Sequence, residues 1–141
     1  MSLRTVSWSL LVLVGVLVLL TSLASANLAY RGDYPVGGVS IAEIASGRDA
    51  VLEGLRGTRG TAAAWAAAWA ALFLAVVLGP YRRGDVATWW GLLASAVFLG
   101  AVAGARVLFL RSQAGTGTAL VILVVVLVAL LLDVKRLAGA H

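Results

Sequence analysis

The chain has 141 residues, 62% of them hydrophobic and 12% charged, with a net charge of +5; it is too apolar for a soluble domain and too short for more than one membrane bundle, so one membrane domain over residues 1-141 is expected. It has no cysteine, and its only histidine is His141. Disulfides, iron–sulfur clusters, thiolate zinc sites and histidine-ligated haem within one chain are thereby excluded, and neither metal nor cofactor is expected. The ten arginines and Lys135 are spread over helix ends and loops instead of forming the basic face a nucleic-acid partner requires, so no such partner is expected.

Four runs carry no charge: Val6 to Tyr30, Thr61 to Tyr81, Val86 to Ala105 and Ser112 to Leu132. At about 1.5 Å per residue each can cross a hydrocarbon core about 30 Å thick. In lipid the backbone must satisfy its own hydrogen bonds, which selects helices. The expected fold class is all-α, an integral membrane four-helix bundle with a short amphipathic helix in the first, external loop. The helices are placed at about 6-28, 61-79, 86-110 and 117-135, with the loop helix at about 40-56.

In the first run, Arg4 precedes the apolar core and Ala24-Ser25-Ala26 has the small-x-small spacing of a signal-peptidase site. The uncharged stretch is longer than an ordinary signal core, and Trp8 stands where an interfacial anchor would. A retained helix is therefore expected. Gly15, Ser22 and Ser25 give it one small-residue face suited to close helix contact.

Ala29 to Gly60 holds eight of the seventeen charges, four of each sign. Tyr34-Pro35 and Gly37-Gly38 read as a turn, and Ser40-Ile41-Ala42-Glu43 matches a capping box that starts a helix. Ile41, Ile44, Ala45, Val51, Leu52 and Leu55 fall on one helical face, with Gly47 as a break or kink. Such a face needs a cover, which either the membrane surface or the ends of the bundle can supply.

The second helix is alanine around Trp65, Trp69 and Phe73, spaced every four residues and so on one face. A tryptophan ladder of this kind could bind a flat ligand such as a quinone, but the favoured reading is an aromatic anchor facing lipid or filling a gap between helices. Gly79-Pro80 is expected to end this helix, since proline lacks the N–H that continues one.

A tight turn, Tyr81-Arg82-Arg83-Gly84-Asp85, then leads into Trp89 and Trp90. Here the chain resembles the DoxX-like and other small four-helix bacterial membrane proteins, in which a Tyr-Arg-Arg-Gly-acid stretch followed by tryptophans joins two helices. Asp85 stands where that pattern more often has Glu. The resemblance implies a four-helix fold in the cytoplasmic membrane and no particular activity. A bacterial source also fits the preference for Arg over Lys and the abundance of Ala, Gly and Val.

In the third helix Gly100 and Gly104 form a GxxxG packing face. Arg106 points away from it and is either a ligand-binding cation or a snorkelling side chain near the helix end. The last helix is almost pure Leu and Val until Asp133, which is expected to form an edge ion pair with Arg82 and Arg83.

With both termini inside, basic residues tie at five on each side, Arg4, Arg82, Arg83, Lys135 and Arg136 against Arg31, Arg48, Arg56, Arg59 and Arg111. Long loops are discounted in that tally, which favours N-in and C-in in the inner membrane. No catalytic constellation stands out. The expected function is that of a non-enzymatic accessory or lipid-interacting bundle, partnered by the bilayer, by a second copy or by another membrane protein. The alternatives are a membrane enzyme or binder of quinone or lipid at Arg106, Trp65 and Trp69, or a small oligomeric transporter. Proton-coupled transport normally needs an embedded carboxylate, and acid–base chemistry needs a carboxylate or histidine near substrate.

Overall fold

The computed structural model describes residues 2–110 and 116–138. Arg111, Ser112 and His141, which entered the reading above, lie outside the described residues. Apart from one two-stranded hairpin, the fold is helical: α1 (Leu3–Arg31), β1 (Pro35–Val36), β2 (Val39–Ser40), α2 (Ile41–Ala45), α3 (Asp49–Val76), a π-helical turn (Val77–Tyr81), α4 (Val86–Leu110), α5 (Thr116–Leu132) and α6 (Lys135–Ala138). Among the described residues, three helical stretches, Leu3–Arg31, Asp49–Tyr81 and Val86–Phe109, are long and apolar enough to cross a membrane, and Gly117–Leu132 is a shorter apolar helix. Only 22%, 22% and 11% of the most apolar part of the three long stretches is buried by the rest of the protein.

The chain divides into two compact units where the sequence suggests one domain. One unit comprises Met1–Gly15 with Phe73–His141; the other is Val16–Leu72. In the first, α1 runs antiparallel to the end of α3. Arg4 meets Arg82, Ser7 meets Tyr81, and a Cβ added at Gly15 would lie 2.6 Å from Leu74 Cδ2. The side chain of Gly15 is thus excluded by helix contact, as the small-residue face of α1 implies. α4 packs along α5, and the buried Trp89 donates its indole N–H to the Leu130 carbonyl at 3.1 Å.

Within the second unit α1 is again antiparallel to α3, with Ser25 beside Arg59 and Tyr30 beside Gly60. The segment after α1 is compact. Pro35 pairs with Ser40 and Val36 with Val39, across a two-residue turn in which Gly37 (φ 62°) and Gly38 (φ 90°) both take the left-handed region that such a hairpin demands. Ser40 then caps α2, its Oγ accepting from the Glu43 N–H at 3.1 Å.

Two helix boundaries differ from the sequence reading. The expected loop helix over 40-56 is divided at Ser46 (φ 50°) and Gly47 (φ 76°), and everything after Asp49 belongs to the long helix that was expected only from residue 61. Extending an existing helix needs no new nucleus, so it propagates back through residues 49–60 despite the cost of Gly54, Gly57 and Gly60. The second difference is at Pro80. Instead of ending the helix, it sits inside a π turn that carries the helical path on to Tyr81. A π turn shifts hydrogen bonding to the i−5 carbonyl and so absorbs the bond that proline cannot make. The resulting 33-residue stretch from Asp49 to Tyr81 is about 50 Å long, well beyond a hydrocarbon core of about 30 Å.

Candidate functional site

Local chemistry around the π turn builds a polar site in the first unit. Tyr81 and Ser7 are both fully buried, and their hydroxyls share a 2.7 Å hydrogen bond. Beyond Tyr81 the chain turns at Gly84 (φ 98°), whose N–H donates to the Tyr81 carbonyl. Asp85 caps α4: its carboxylate accepts from the backbone N–H groups of Ala87 and Thr88 and from the Thr88 hydroxyl.

Arg4 and Arg82 converge on this turn from different helices. Arg4 donates to the Arg82 carbonyl at 2.7 Å, and its guanidinium lies against Gly84, where an added Cβ would come within 3.2 Å of it. The Arg82 guanidinium stands over the Trp8 ring, 5.1 Å from the centroid. Together Arg4, Thr5, Trp8, Tyr81 and Arg82 line a half-open pocket of about 260 Å³. The Trp8 Nε1 is buried without a hydrogen-bond partner among the described residues.

The second unit has an arginine cluster of different character. Arg59 lies over the Tyr34 ring, 4.0 Å from its centroid, and donates from Nε to Ser25 Oγ at 3.2 Å. Tyr34 is itself buried and donates to the Leu55 carbonyl at 2.8 Å. Arg56 reaches the Gly32 carbonyl at 3.5 Å. These contacts hold the hairpin segment onto α1 and α3 and leave both arginines half-buried.

Compared with protein-family models, with curated proteins and with solved structures, the chain matches none.

The residues singled out from sequence are dispersed. Trp65 is 74% exposed, Trp69 is half-buried and Phe73 is buried, so the spacing of four does not give the three aromatics a common environment. Trp65 and Trp69 belong to one compact unit, Arg106 to the other, where it is exposed on α4. Gly100 faces α5, with an added Cβ 3.1 Å from Leu123 Cδ2, whereas nothing lies within 4 Å of the same position at Gly104. Asp133 is buried at the end of α5, while Arg82 and Arg83 are exposed at the turn before α4.

Sequence reasoning passed over Arg4, Ser7 and the pocket role of Trp8. A usable signal exists. Arg4 and Trp8 are four apart and share a helix face, and Arg4 and Arg82 each lie just outside an uncharged run, at comparable depth.

Proposed function

We propose that the protein is a multi-pass integral protein of the cytoplasmic membrane, with four spans and both termini inside, acting without catalysis through contacts with lipid and with other membrane chains. The observation that carries this reading is the lack of protein cover over the apolar helices. Leu13, Leu17, Leu20 and Leu23 of α1, and Val97, Phe98, Val102, Leu108 and Phe109 of α4, are all exposed. Exposed apolar surface of that extent needs lipid or a partner to cover it. Gly117–Leu132 supports a fourth span, because its side chains are apolar from Ala119 onward and it is only a little shorter than the usual spanning length.

The lack of any polar side chain in α5 between Ala119 and Leu132 and the exposure of Trp65 both weigh against a buried substrate site in those helices. Arg4 and Arg82 sit at the rims of two uncharged runs, where basic side chains meet headgroups.

Two measurements test the reading. Since the chain has no cysteine, single cysteines at Ser2, Gly38 and Lys135 report topology without background. The expected result is that Ser2→Cys and Lys135→Cys label only from the cytoplasmic side and Gly38→Cys only from outside. Lipid mass spectrometry of protein extracted with its surrounding bilayer is expected to find phospholipid enriched over bulk. Stoichiometric retention of a quinone would replace the non-catalytic reading with the redox one.

A further inference from the structure

The half-open pocket lined by Arg4, Thr5, Trp8, Tyr81 and Arg82 combines three features that do not follow from helix packing. Its two guanidiniums are held by a backbone carbonyl and by a ring face, neither of which carries a neutralising charge. Arg4 and Arg82 are both exposed and line the same pocket, so an anion held by both would relieve the repulsion that water leaves unscreened. Most of the donor capacity of both arginines remains, because a guanidinium has five N–H donors and Arg4 uses one group on the Arg82 carbonyl. The third feature is Trp8, whose ring face seats the Arg82 guanidinium 5.1 Å from its centroid and whose Nε1 is closed off from the open part of the pocket.

The frame around these donors is rigid. Tyr81 is fixed by its bond to Ser7, the π turn sets the position of Arg82, and Gly84 leaves room for the Arg4 guanidinium. At about 260 Å³ the pocket falls below the roughly 300–1,000 Å³ of sites for drug-sized ligands, so it fits a small oxyanion and not a whole cofactor. Planar guanidinium forks match the oxygens of phosphate.

We propose that this pocket is a phosphate-binding site, filled in the membrane by the headgroup of an anionic phospholipid. The site itself stands on the geometry above; its lipid source rests on the membrane reading given under Proposed function. Arg4 lies two residues before the uncharged run Val6 to Tyr30, and Arg82 directly follows Thr61 to Tyr81. That is the depth at which headgroup phosphates lie.

The test uses the full chain in detergent micelles doped with phosphatidylglycerol or with phosphatidylcholine, read by native mass spectrometry, and separately titrates inorganic phosphate by calorimetry. The wild-type protein is expected to retain phosphatidylglycerol in preference to phosphatidylcholine. Arg4→Gln and Arg82→Gln should each weaken that retention about tenfold, the loss expected for one charge-assisted hydrogen bond. Arg4→Lys and Arg82→Lys should recover only part of it, since an ammonium lacks the fork. Trp8→Phe, which keeps the ring under Arg82 and removes the N–H, should weaken it less than loss of either charge. Arg56→Gln, in the other unit, is the control for nonspecific charge loss and should leave retention unchanged.

Loss of phosphatidylglycerol preference in Arg56→Gln equal to that in Arg82→Gln would overturn the site. So would unchanged retention in both Arg4→Gln and Arg82→Gln, although the protein would then remain lipid-binding elsewhere and the wider reading would stand. If inorganic phosphate binds the wild type and not Arg82→Gln, while neither phospholipid is retained, the lipid source fails. Unfolding temperatures of all variants separate loss of binding from loss of fold.

Discussion

Two pairs of arginines, alike in composition and each with one member over an aromatic ring, are used in opposite ways. Arg56 and Arg59 turn inward. Arg59 covers Tyr34 and binds Ser25, Arg56 reaches Gly32, and the hairpin segment is thereby fastened to α1 and α3. Arg4 and Arg82 instead border an open space beside Trp8 and Tyr81. A cation–π contact therefore says little about role by itself. What differs is the surroundings: Arg56 and Arg59 are half-buried against the hairpin segment, whereas Arg4 and Arg82 are exposed at a pocket.

The most damaging way to break the half-buried pair is Tyr34→Ala. It removes a buried ring, the bond to the Leu55 carbonyl and the seat of Arg59, and should cost about 3–5 kcal/mol, as for other buried aromatics. Amide hydrogen exchange should rise sharply over residues 34–46 while α4 and α5 stay protected. Uniform protection throughout would mean that the arginines do not fasten this segment.

At the open pair, Ser7→Ala or Tyr81→Phe leaves one buried hydroxyl or its neighbour without the shared bond, with an expected loss of about 1–3 kcal/mol. The double variant Ser7→Ala with Tyr81→Phe should be milder than the sum of the two, because both single changes remove the same hydrogen bond. Thermal unfolding in detergent, run as a double-mutant cycle, measures the coupling. Strict additivity would remove the hydroxyl pair as the anchor of the pocket wall.

Helix packing in the same unit offers a sharper contrast between neighbouring residues. Gly100→Leu must displace Leu123, at a cost of about 1–3 kcal/mol for overpacking. Gly104→Leu meets open space and should change stability by less than about 0.5 kcal/mol. Equal unfolding temperatures for the two variants would contradict the contact between α4 and α5 at Gly100.

The smallest effect is expected at Arg106, which has neither the half-burial of Arg59 nor the pocket of Arg82. It is exposed one turn from the end of α4, and Arg106→Lys should change stability by less than about 0.5 kcal/mol, since lysine can also snorkel. A larger loss, or loss of a retained anionic lipid in Arg106→Lys, would make Arg106 a binding residue.

Much of the helical layout was legible because lipid imposes a simple demand. An uncharged run long enough to span must be helical, and α4 occupies the expected residues 86-110. The Ser40 cap and the break at Gly47 were also visible, since both depend on local backbone chemistry. Pro80 was misleading for the same reason. Its local effect is to end a helix, but burial of Tyr81 and Val77 favours continuing it through a π turn. Hydrophobic pattern also understated α3, whose first twelve residues carry charges and lack any signal of membrane insertion yet are helical.

Sequence by itself determined that the chain is helical and apolar, with no cysteine or histidine within its long apolar runs, because composition and run length are properties of the chain alone. Tertiary structure decided which polar groups meet. Arg4 and Arg82 are 78 positions apart, as Ser7 and Tyr81 are 74, and no local pattern encodes such a pairing. It also decided that Gly100 is in contact and Gly104 is not, although the two form one motif. A repeat of small residues states that close approach is possible; only the path of the neighbouring helix fixes where it happens.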